Sequence, residues 1–458
     1  MRTLAGTTGT ETRFGERNRD PRRRGKTHLR RSSASTTTIV GDVASVKNDR
    51  REGKYRRIKS HVNPLSIPRR TVADLWGGSR EKMLFSVAFG WFLSISLRMV
   101  YPALLPYLRT DYGLSLSTAG LLLSVLWVSY ACGQLPGGIL ADRVGERLLL
   151  VVSSVLAATM LTLVVVSGSP GVLFVATALF GVGTALYGVS RFTILEKIYP
   201  ERLGTATGVT MAAGDLGNSV MPPLAGSIAV IAAWQLGFGF AIPLFLVAAV
   251  GLWVTLPERA STGSPTESFG LDGVVSTLTR PTVLLGTMLL VLWSVVMQAV
   301  IGFYPTYLTD EKGLSVQAAT VLFGFFFALG IVLKPVAGRA FDRVGVRAPL
   351  LVFMGGAGIA LCLLPFVGDL WLLVLVTVLA SGLLGFETIV ISDLTQRLPD
   401  GAQGTNLGTL RTVYVGLGGL SPILFGAIAD WGYFDEAFLG AGALALVVVL
   451  VVFATIDY

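Results

Sequence analysis

The residues best suited to do chemistry in this sequence are three ionisable side chains within long apolar stretches. They are Arg98, Asp215 and Glu387. A charge in the hydrocarbon layer of a membrane costs several kcal/mol, so each of these residues needs a functional or structural reason. Asp215 and Glu387 are candidate proton carriers, because burial from water favours the neutral form of a carboxyl group. Asp215 has two other interpretations, as a substrate contact and as a fixed counter-ion of Arg98.

These positions belong to a sequence repeat with a constant offset of 200 residues. The first copy of its best-preserved motif contains Gly138, Asp142, Arg143, Gly145 and Arg147, and the second contains Gly338, Asp342, Arg343, Gly345 and Arg347. Other landmarks recur at the same offset, such as Tyr107, which returns as Tyr307. This regularity predicts two copies of one module, in which Gln298 is the counterpart of Arg98.

The elements that hold these residues are predicted to be membrane-spanning helices. Apolar residues make up 52% of the chain and charged residues 14%, and the mean hydropathy is +0.67. From Met83 onward the chain contains twelve apolar runs, each of roughly 20 residues and long enough to cross a bilayer as a helix. We predict an all-α integral membrane protein with twelve transmembrane helices in two six-helix bundles, related by pseudo-two-fold symmetry.

Composition divides the chain into four predicted parts. They are a basic disordered cytoplasmic tail (1–80), a six-helix bundle (81–257), a cytoplasmic linker (258–280) and a second six-helix bundle (281–458). The tail holds 20 Lys/Arg and 7 Asp/Glu. It is interpreted as an arm for anionic lipid headgroups, a cleaved targeting segment or a misassigned start. Loops on the same side as the tail carry most of the other cations, which predicts cytoplasmic N- and C-termini in a multi-pass plasma-membrane protein.

No pattern in the sequence is typical of an enzyme or a metalloprotein. His28 and His61 precede the first apolar run. Cys132 and Cys362 lie inside apolar runs, so no Cys/His cluster has metal-ligand spacing. No phosphate-binding loop or catalytic triad signature is present, and the tail has few aromatic residues to stack on nucleic-acid bases. We expect a monomeric non-enzyme without a cofactor, whose partners are a small-molecule substrate, the lipid bilayer and protons.

The first motif copy, with Leu140 included, resembles the Gly-x-Leu-x-Asp-Arg-x-Gly-x-Arg/Lys signature of the major facilitator superfamily. The resemblance covers residues 83–458, and the second copy departs from the signature at Ala340. It implies a secondary transporter with a central cavity lined by the first, fourth, seventh and tenth helices. Arg98 and Gln298 would then face each other as substrate-binding residues, and a guanidinium and an amide suit a planar anion such as a carboxylate. Alternatively, Arg98 is paired internally by a carboxylate or extends toward the membrane surface.

The resemblance also implies that the motif is a gate on the cytoplasmic side. Asp142 would face the N-terminal end of the eleventh helix near Thr405, where the helix dipole attracts an acid. Asp342 would face the fifth helix near Thr205 in the same way. The glycines of the motif would let the helix ends approach closely. The alternative is that the motif charges serve only as topology anchors.

A charge network with a structural role is predicted beneath each copy of the motif. Its members are Arg147, Arg191 and Glu196 in the first half, and Arg343, Arg347, Glu387 and Arg411 in the second half.

The fifth predicted helix resembles the antiporter signature of drug exporters in the same superfamily. Met221 and Ala225 stand where that signature has glycines, and a generic packing face is the alternative. We predict a secondary active transporter that moves a small solute by alternating access, with proton coupling and an organic anion as the favoured substrate. The alternatives are a drug or multidrug-type proton antiporter that works in efflux and, from another class, a non-transporting membrane sensor.

Overall fold

The computed structural model describes residues 78–258, 280–397 and 403–455, without the side chains of Ser79, Asp142 and residues 403–406. The predicted tail of residues 1–80 therefore lies almost wholly outside the described residues. So does nearly all of the predicted linker, residues 258–280.

Within the described ranges the chain forms twelve helical segments and no strand, which confirms the predicted all-α class and helix number. The first half contains α1 (Ser79–Tyr112), α2 (Leu116–Val144), α3 (Glu146–Val165), α4 (Pro170–Ile198), α5 (Leu203–Ile231) and α6 (Trp234–Gly239 and Ala241–Thr255). The second half contains α7 (Pro281–Asp310), α8 (Val316–Val344), α9 (Arg347–Leu363), α10 (Leu370–Ala380 and Gly382–Arg397), α11 (Gln403–Gly418 and Ser421–Asp430) and α12 (Phe434–Thr455).

Eleven helices of the described chain are long and apolar enough to cross a membrane, and α5 is the remaining segment. With 29 residues α5 also has the length for a crossing, since a helix rises about 1.5 Å per residue. Its threonines, its glycines and the polar residues Asp215 and Asn218 lower its hydropathy. The polarity of α5 thus reflects the interior surface that it lines.

The two halves share backbone geometry at the positions that the 200-residue repeat relates. Ser115 and Ser315 cap α2 and α8, and each side chain accepts a hydrogen bond from the backbone N–H three residues later. Gly145 and Gly345 end the same two helices at φ 88° and 77°, a region that side-chain-bearing residues rarely adopt. The motif glycines at these two positions are therefore required by backbone conformation, and not by close helix packing as the sequence suggested.

Helix α11 is interrupted, although the sequence predicts one continuous run there. The break follows Gly418, where an added Cβ would lie 2.1 Å from the Ser294 hydroxyl oxygen of α7. Pro422 then starts the second piece without a backbone N–H to donate. The interruption therefore lets α11 pass close to α7 between the two halves.

The two halves pack tightly at one end of the molecule, which we call the far end, where α1 finishes and α2 begins. A Cβ on Gly120 would lie 2.2 Å from the Pro422 carbonyl oxygen, and a Cβ on Gly426 would lie 2.3 Å from the carbonyl oxygen of Leu116. On the other side of the interface, a Cβ on Gly226 would lie 2.4 Å from a side-chain atom of α8. These contacts join α2 to α11 and α5 to α8.

The opposite end, which we call the motif end, is where α2 and α8 finish at the two motif copies. Four glycines there, in helices that face the other half, have no atom within 4 Å of an added Cβ. They are Gly204, Gly208, Gly338 and Gly408. Among the described residues, the two halves are therefore closed at the far end and open at the motif end.

Candidate functional site

A cavity of about 130 Å³ lies between the two halves, at mid-depth in the helix bundle. Its lining residues lie on α1, α2 and α5 of the first half and on α7, α8, α10 and α11 of the second. The resemblance implied that the fourth helix would also line it, but no described residue of α4 does so. Its wall contains every embedded charge that the sequence singled out, namely Arg98, Asp215 and Glu387. A pocket bounded by aromatic rings and a few polar groups has the lining that is typical of small-molecule sites.

Arg98 and Gln298, the predicted substrate-binding pair, both line this cavity. Arg98 is 2% exposed, and its guanidinium carbon lies 3.8 Å from the centroid of the Tyr130 ring and 5.2 Å from that of Trp127. Its Nε donates to the Ser94 carbonyl at 3.2 Å, but Nη2 has no partner among the described residues. Arg98 is neither extended toward the membrane surface nor paired with a carboxylate in the described chain.

Two further guanidinium groups, those of Arg191 and Arg411, lie close to Arg98, and the three are within Coulombic range of one another. Arg191 on α4 is fully buried, with its guanidinium carbon 3.3 Å from the Trp91 ring centroid. None of its three guanidinium nitrogens has a hydrogen-bond partner within the described ranges. We call these three residues the arginine cluster. It spans both halves, because α1 and α4 belong to the first and α11 to the second.

Glu387 is placed in the cavity wall beside the arginine cluster. Its carboxylate accepts a hydrogen bond of 2.8 Å from the Tyr414 hydroxyl and lies within Coulombic range of Arg411.

The predicted network beneath the second motif copy needs correction, since Arg343 is exposed. Arg347 instead stacks on the Phe453 ring at 4.7 Å and donates to the Phe453 carbonyl at 2.9 Å.

The predicted network of the first half also needs correction. Arg191 belongs to the arginine cluster, whereas Glu196 lies on an exposed surface of the same helix. Arg147 stacks on the Trp253 ring at 4.3 Å and lies 3.8 Å from the Glu258 carboxylate. A separate ion pair of 2.6 Å joins Lys197 to Glu146, at the start of α3.

The repeat also relates the partners of the two motif arginines. Arg147 and Arg347 each stack on an aromatic ring of the last helix of their own half, and those rings, Trp253 and Phe453, are themselves 200 residues apart. These stacks fasten the turn after α2 to α6, and the turn after α8 to α12. Cation–π contacts of this kind contribute about 0.5–1 kcal/mol where they are exposed.

The predicted gate contacts of the motif acids are not formed where the structure describes them. Asp342 is exposed, and Gly338 beside it has no neighbour within 4 Å of an added Cβ. The Asp142 side chain lies outside the described atoms. Because the motif end is open, contacts that belong to a closed state stay a prediction.

Asp215 pairs with a residue that the sequence analysis missed. The Lys334 ammonium donates to the Asp215 carboxylate at 2.6 Å, from α8 in the second half to α5 in the first. The interpretation of Asp215 as the counter-ion of Arg98 is therefore wrong. A signal was available in the repeat, since the counterpart of Lys334 is Gln134, so both copies carry a polar residue at this depth of an apolar helix.

Comparison with known proteins gives a family match over most of the chain. The model of the Major Facilitator Superfamily matches residues 85–420. The Hexuronate transporter of Bacillus subtilis is 27% identical over 370 residues, which cover 74% of this chain and 86% of that protein. The Fosmidomycin resistance protein of Escherichia coli is 23% identical over 382 residues, covering 81% and 92%. The "Probable sulfoacetate transporter" of Cupriavidus necator is 25% identical over 401 residues, covering 80% and 91%.

A solved structure shows the same fold at low sequence identity. A bacterial homolog of the human lysosomal transporter Spinster, in an inward-facing and unoccupied conformation, matches with a TM-score of 0.70. It is 14% identical, and the match covers 82% of this chain and 97% of that one.

Proposed function

The chain belongs to the Major Facilitator Superfamily, and we propose that it is a secondary active transporter of a small organic anion. The observation that carries this proposal is the arginine cluster. Arg98 and Arg191 are buried, and one guanidinium nitrogen of Arg98 and all three of Arg191 lack a partner. No acid pairs with either residue within the described ranges.

The physical argument concerns the cost of burying positive charge. An unpaired ion in a low-dielectric interior carries a penalty of several kcal/mol. An anion in the cavity would accept hydrogen bonds from the unpartnered Nη2 of Arg98 and the unpartnered Nε of Arg411. A carboxylate matches the planar guanidinium fork and would lower the Coulombic repulsion between the cations.

The difference between the two ends of the bundle supports alternating access. The halves are in contact at the far end, whereas the described glycines of the motif end have no neighbours within 4 Å of an added Cβ, which supports a state in which the cavity is reached from the motif side. We propose that the motif end faces the cytoplasm of a plasma-membrane protein whose termini are both cytoplasmic, since most loop cations lie on that side. Closing it would bring the motif acids toward α5 and α11.

Proton coupling is assigned to Asp215. Its carboxylate is 15% exposed, it lines the cavity, and its ion pair with Lys334 joins the two halves. Protonation of Asp215 would release Lys334 and loosen the contact between α5 and α8. A proton would then change the contact between the halves, which is the condition for coupling its movement to that of the substrate.

The relatives support an anionic substrate but do not indicate whether the protein imports or exports it. Two of them are named for anions, hexuronate and sulfoacetate. Export is the second candidate function, favoured by the likeness to the Fosmidomycin resistance protein. In that case the same cavity would load from the cytoplasm and release outside.

The test combines ligand binding with flux. Purified protein in detergent is screened by thermal shift against small carboxylates, sulfonates and neutral or cationic compounds of similar size. We expect stabilisation by anions only, because a ligand that binds the native state raises its melting temperature. Proteoliposomes then report flux of the best ligand. Stabilisation by cations alone would overturn the proposal, and binding without flux would identify a sensor.

A matched pair of variants ties the binding to the cavity. Arg98→Gln should abolish the thermal shift, because it removes the guanidinium whose unpartnered Nη2 is proposed to bind the anion. Arg397→Gln removes an arginine that pairs with Asp393 at 2.7 Å at the motif end of α10 and that does not line the cavity, and it should leave the shift intact. Equal effects of both variants would contradict the assignment.

A further inference from the structure

Resting on the proposed anion transport, we propose that the substrate is a polyhydroxylated organic acid, recognised through the Gln298 and Asn218 side chains. The arginine cluster accounts for the acid group of the ligand. The two amides are not needed to bind the negative charge, and we assign them to the hydroxyl groups of the ligand.

The amides come from opposite halves and face the same cavity. Gln298 lies on α7 and Asn218 on α5, and both are buried. The Gln298 Oε1 and the Asn218 Oδ1 atoms have no hydrogen-bond partner, and neither amide nitrogen bonds to another residue of the described chain. Both ends of each amide are therefore unpaired. Exchanging the oxygen and the nitrogen of either amide would not give it a hydrogen-bond partner.

A buried amide without a hydrogen-bond partner lowers the stability of the protein and favours a ligand that can pair with it. A buried polar group without a partner costs about 1–3 kcal/mol, and such groups in native proteins usually have a functional reason. An amide presents an acceptor and donors side by side, which is complementary to a hydroxyl group, itself a donor and an acceptor. An acid without hydroxyl groups would bind the cations but would leave both amides unpaired.

The rest of the wall fits a ligand with C–H groups between its hydroxyls. Trp127 on α2 and Trp293 on α7 both line the cavity. The Trp293 indole N–H is already bonded to the Leu383 carbonyl at 2.7 Å, so this side chain contributes its ring and no free donor. The negative face of an aromatic ring attracts the weakly positive hydrogens of C–H groups. A hydroxylated carbon chain presents both kinds of group, whereas a compact inorganic anion has no carbon chain to pack on the rings.

The experiment compares three ligands of matched chain length by calorimetric titration. D-gluconate carries the acid and the hydroxyls, hexanoate carries only the acid, and sorbitol carries only hydroxyls. We expect gluconate to bind at least about tenfold more tightly than hexanoate, since each added hydrogen bond to a buried group contributes up to about tenfold. Sorbitol should bind more weakly than either acid.

Variants of the two amides test whether these residues make gluconate bind more tightly than hexanoate. Gln298→Met and Asn218→Leu keep side-chain size but remove the amide, so each should lower gluconate affinity and leave hexanoate affinity within about twofold. The control is Gln134→Met, because Gln134 also has an unpartnered buried amide nitrogen but is not part of the cavity wall. This control should keep the preference of the unmodified protein.

Two kinds of failure are distinguishable. Equal affinity for gluconate and hexanoate, or an equal loss of both in Gln298→Met, would overturn the hydroxyl assignment and leave anion transport standing. Binding of sorbitol without either acid would overturn the proposed anion transport itself. Retained preference in both amide variants would show that other groups read the hydroxyls, which also overturns this inference.

Discussion

The Asp215 carboxylate and the Lys334 ammonium meet at 2.6 Å across the boundary between the two halves of the protein. Both side chains line the cavity, and they are 15% and 30% exposed. Solvent access weakens such a pair, so its stabilisation is of the order of 1 kcal/mol. A bond of this strength can hold one conformation and still break in each cycle.

The first prediction concerns Asp215→Asn in proteoliposomes. Uptake driven by a pH gradient should stop, because the substituted residue no longer binds a proton. Exchange of labelled for unlabelled substrate should continue, since it needs no net proton movement. Radiolabel accumulation with and without the gradient measures both modes. Full pH-driven accumulation by this variant would remove Asp215 from the coupling mechanism.

Controls separate coupling from loss of the ion pair. The double variant Asp215→Asn with Lys334→Gln removes both charges, and it should restore any folded yield that the single variant loses. Asp393→Asn removes an acid of α10 that pairs with Arg397 outside the cavity. It should leave pH-driven uptake unchanged.

The second prediction concerns Arg191→Met. Because Arg191 is fully buried and its guanidinium has no hydrogen-bond partner in the described chain, its replacement by an apolar side chain should raise the melting temperature of the ligand-free protein. Replacing a buried charge with packed apolar atoms is often neutral or stabilising by about 1–4 kcal/mol. Affinity for the anion should fall at the same time. A lower melting temperature would mean that this arginine is structural.

The third prediction concerns the closed far end. The Asp430 carboxylate of α11 accepts hydrogen bonds from the backbone N–H groups of Leu116 and Ser117 at 2.6 and 2.8 Å, at the start of α2. An acid at a helix N-terminus contributes about 0.3–2 kcal/mol. Asp430→Asn should therefore increase the population that is open at the far end. Labelling of single cysteines on the far side of the cavity measures this shift.

A matched control lies at the same end of the molecule. Asp369 precedes α10, is exposed and makes no side-chain capping bond. Asp369→Asn should leave the labelling unchanged.

A second contact at the far end is the ion pair of Arg109 with Asp310, at 2.5 Å, which also joins the halves. Arg109→Ala should therefore increase the labelling in the same direction as Asp430→Asn. Identical labelling in all three variants would exclude these contacts as the far-end gate.

The fourth prediction concerns Gly208 on α5 at the motif end. A Cβ added there has no atom within 4 Å in the present state, so we expect Gly208→Trp to fold and bind substrate. When the motif end closes, the indole would occupy the space that α8 or α11 must enter, and transport should fall by more than about tenfold because overpacking costs roughly 1–3 kcal/mol. Gly168→Trp places the same side chain in a far-end turn, where an added Cβ likewise has no atom within 4 Å, and it should transport normally. Normal flux in Gly208→Trp would show that this face never closes.

The sequence predicted the fold and the equivalence of Arg98 and Gln298 because both depend on spacing along the chain. Their place in the cavity wall was implied by the resemblance to the family. A constant offset aligns the halves, so spacing alone assigns Arg98 and Gln298 to equivalent positions. The predicted network that joined Arg191 with Glu196 is wrong for a reason of helix geometry. Five residues turn a helix by about 140°, so the two side chains leave α4 on different faces.

Contacts between the halves were harder to predict. The Asp215–Lys334 pair joins helices 119 residues apart in sequence, and no local pattern specifies which helices of two bundles meet. The gate contacts of Asp142 and Asp342 depend in addition on the conformational state. A motif can therefore indicate that a gate exists without indicating whether it is closed.

The arginine cluster has a kinetic consequence for the empty carrier. Arg411 belongs to one half, and Arg98 and Arg191 belong to the other, so closing the motif end around an empty cavity would push like charges together. A bound anion offsets that repulsion, and the loaded carrier should therefore reorient faster than the unloaded one. We expect trans-stimulation, in which efflux of labelled anion from vesicles accelerates when unlabelled anion is added outside. The return of the vacant carrier would then set the turnover of net transport.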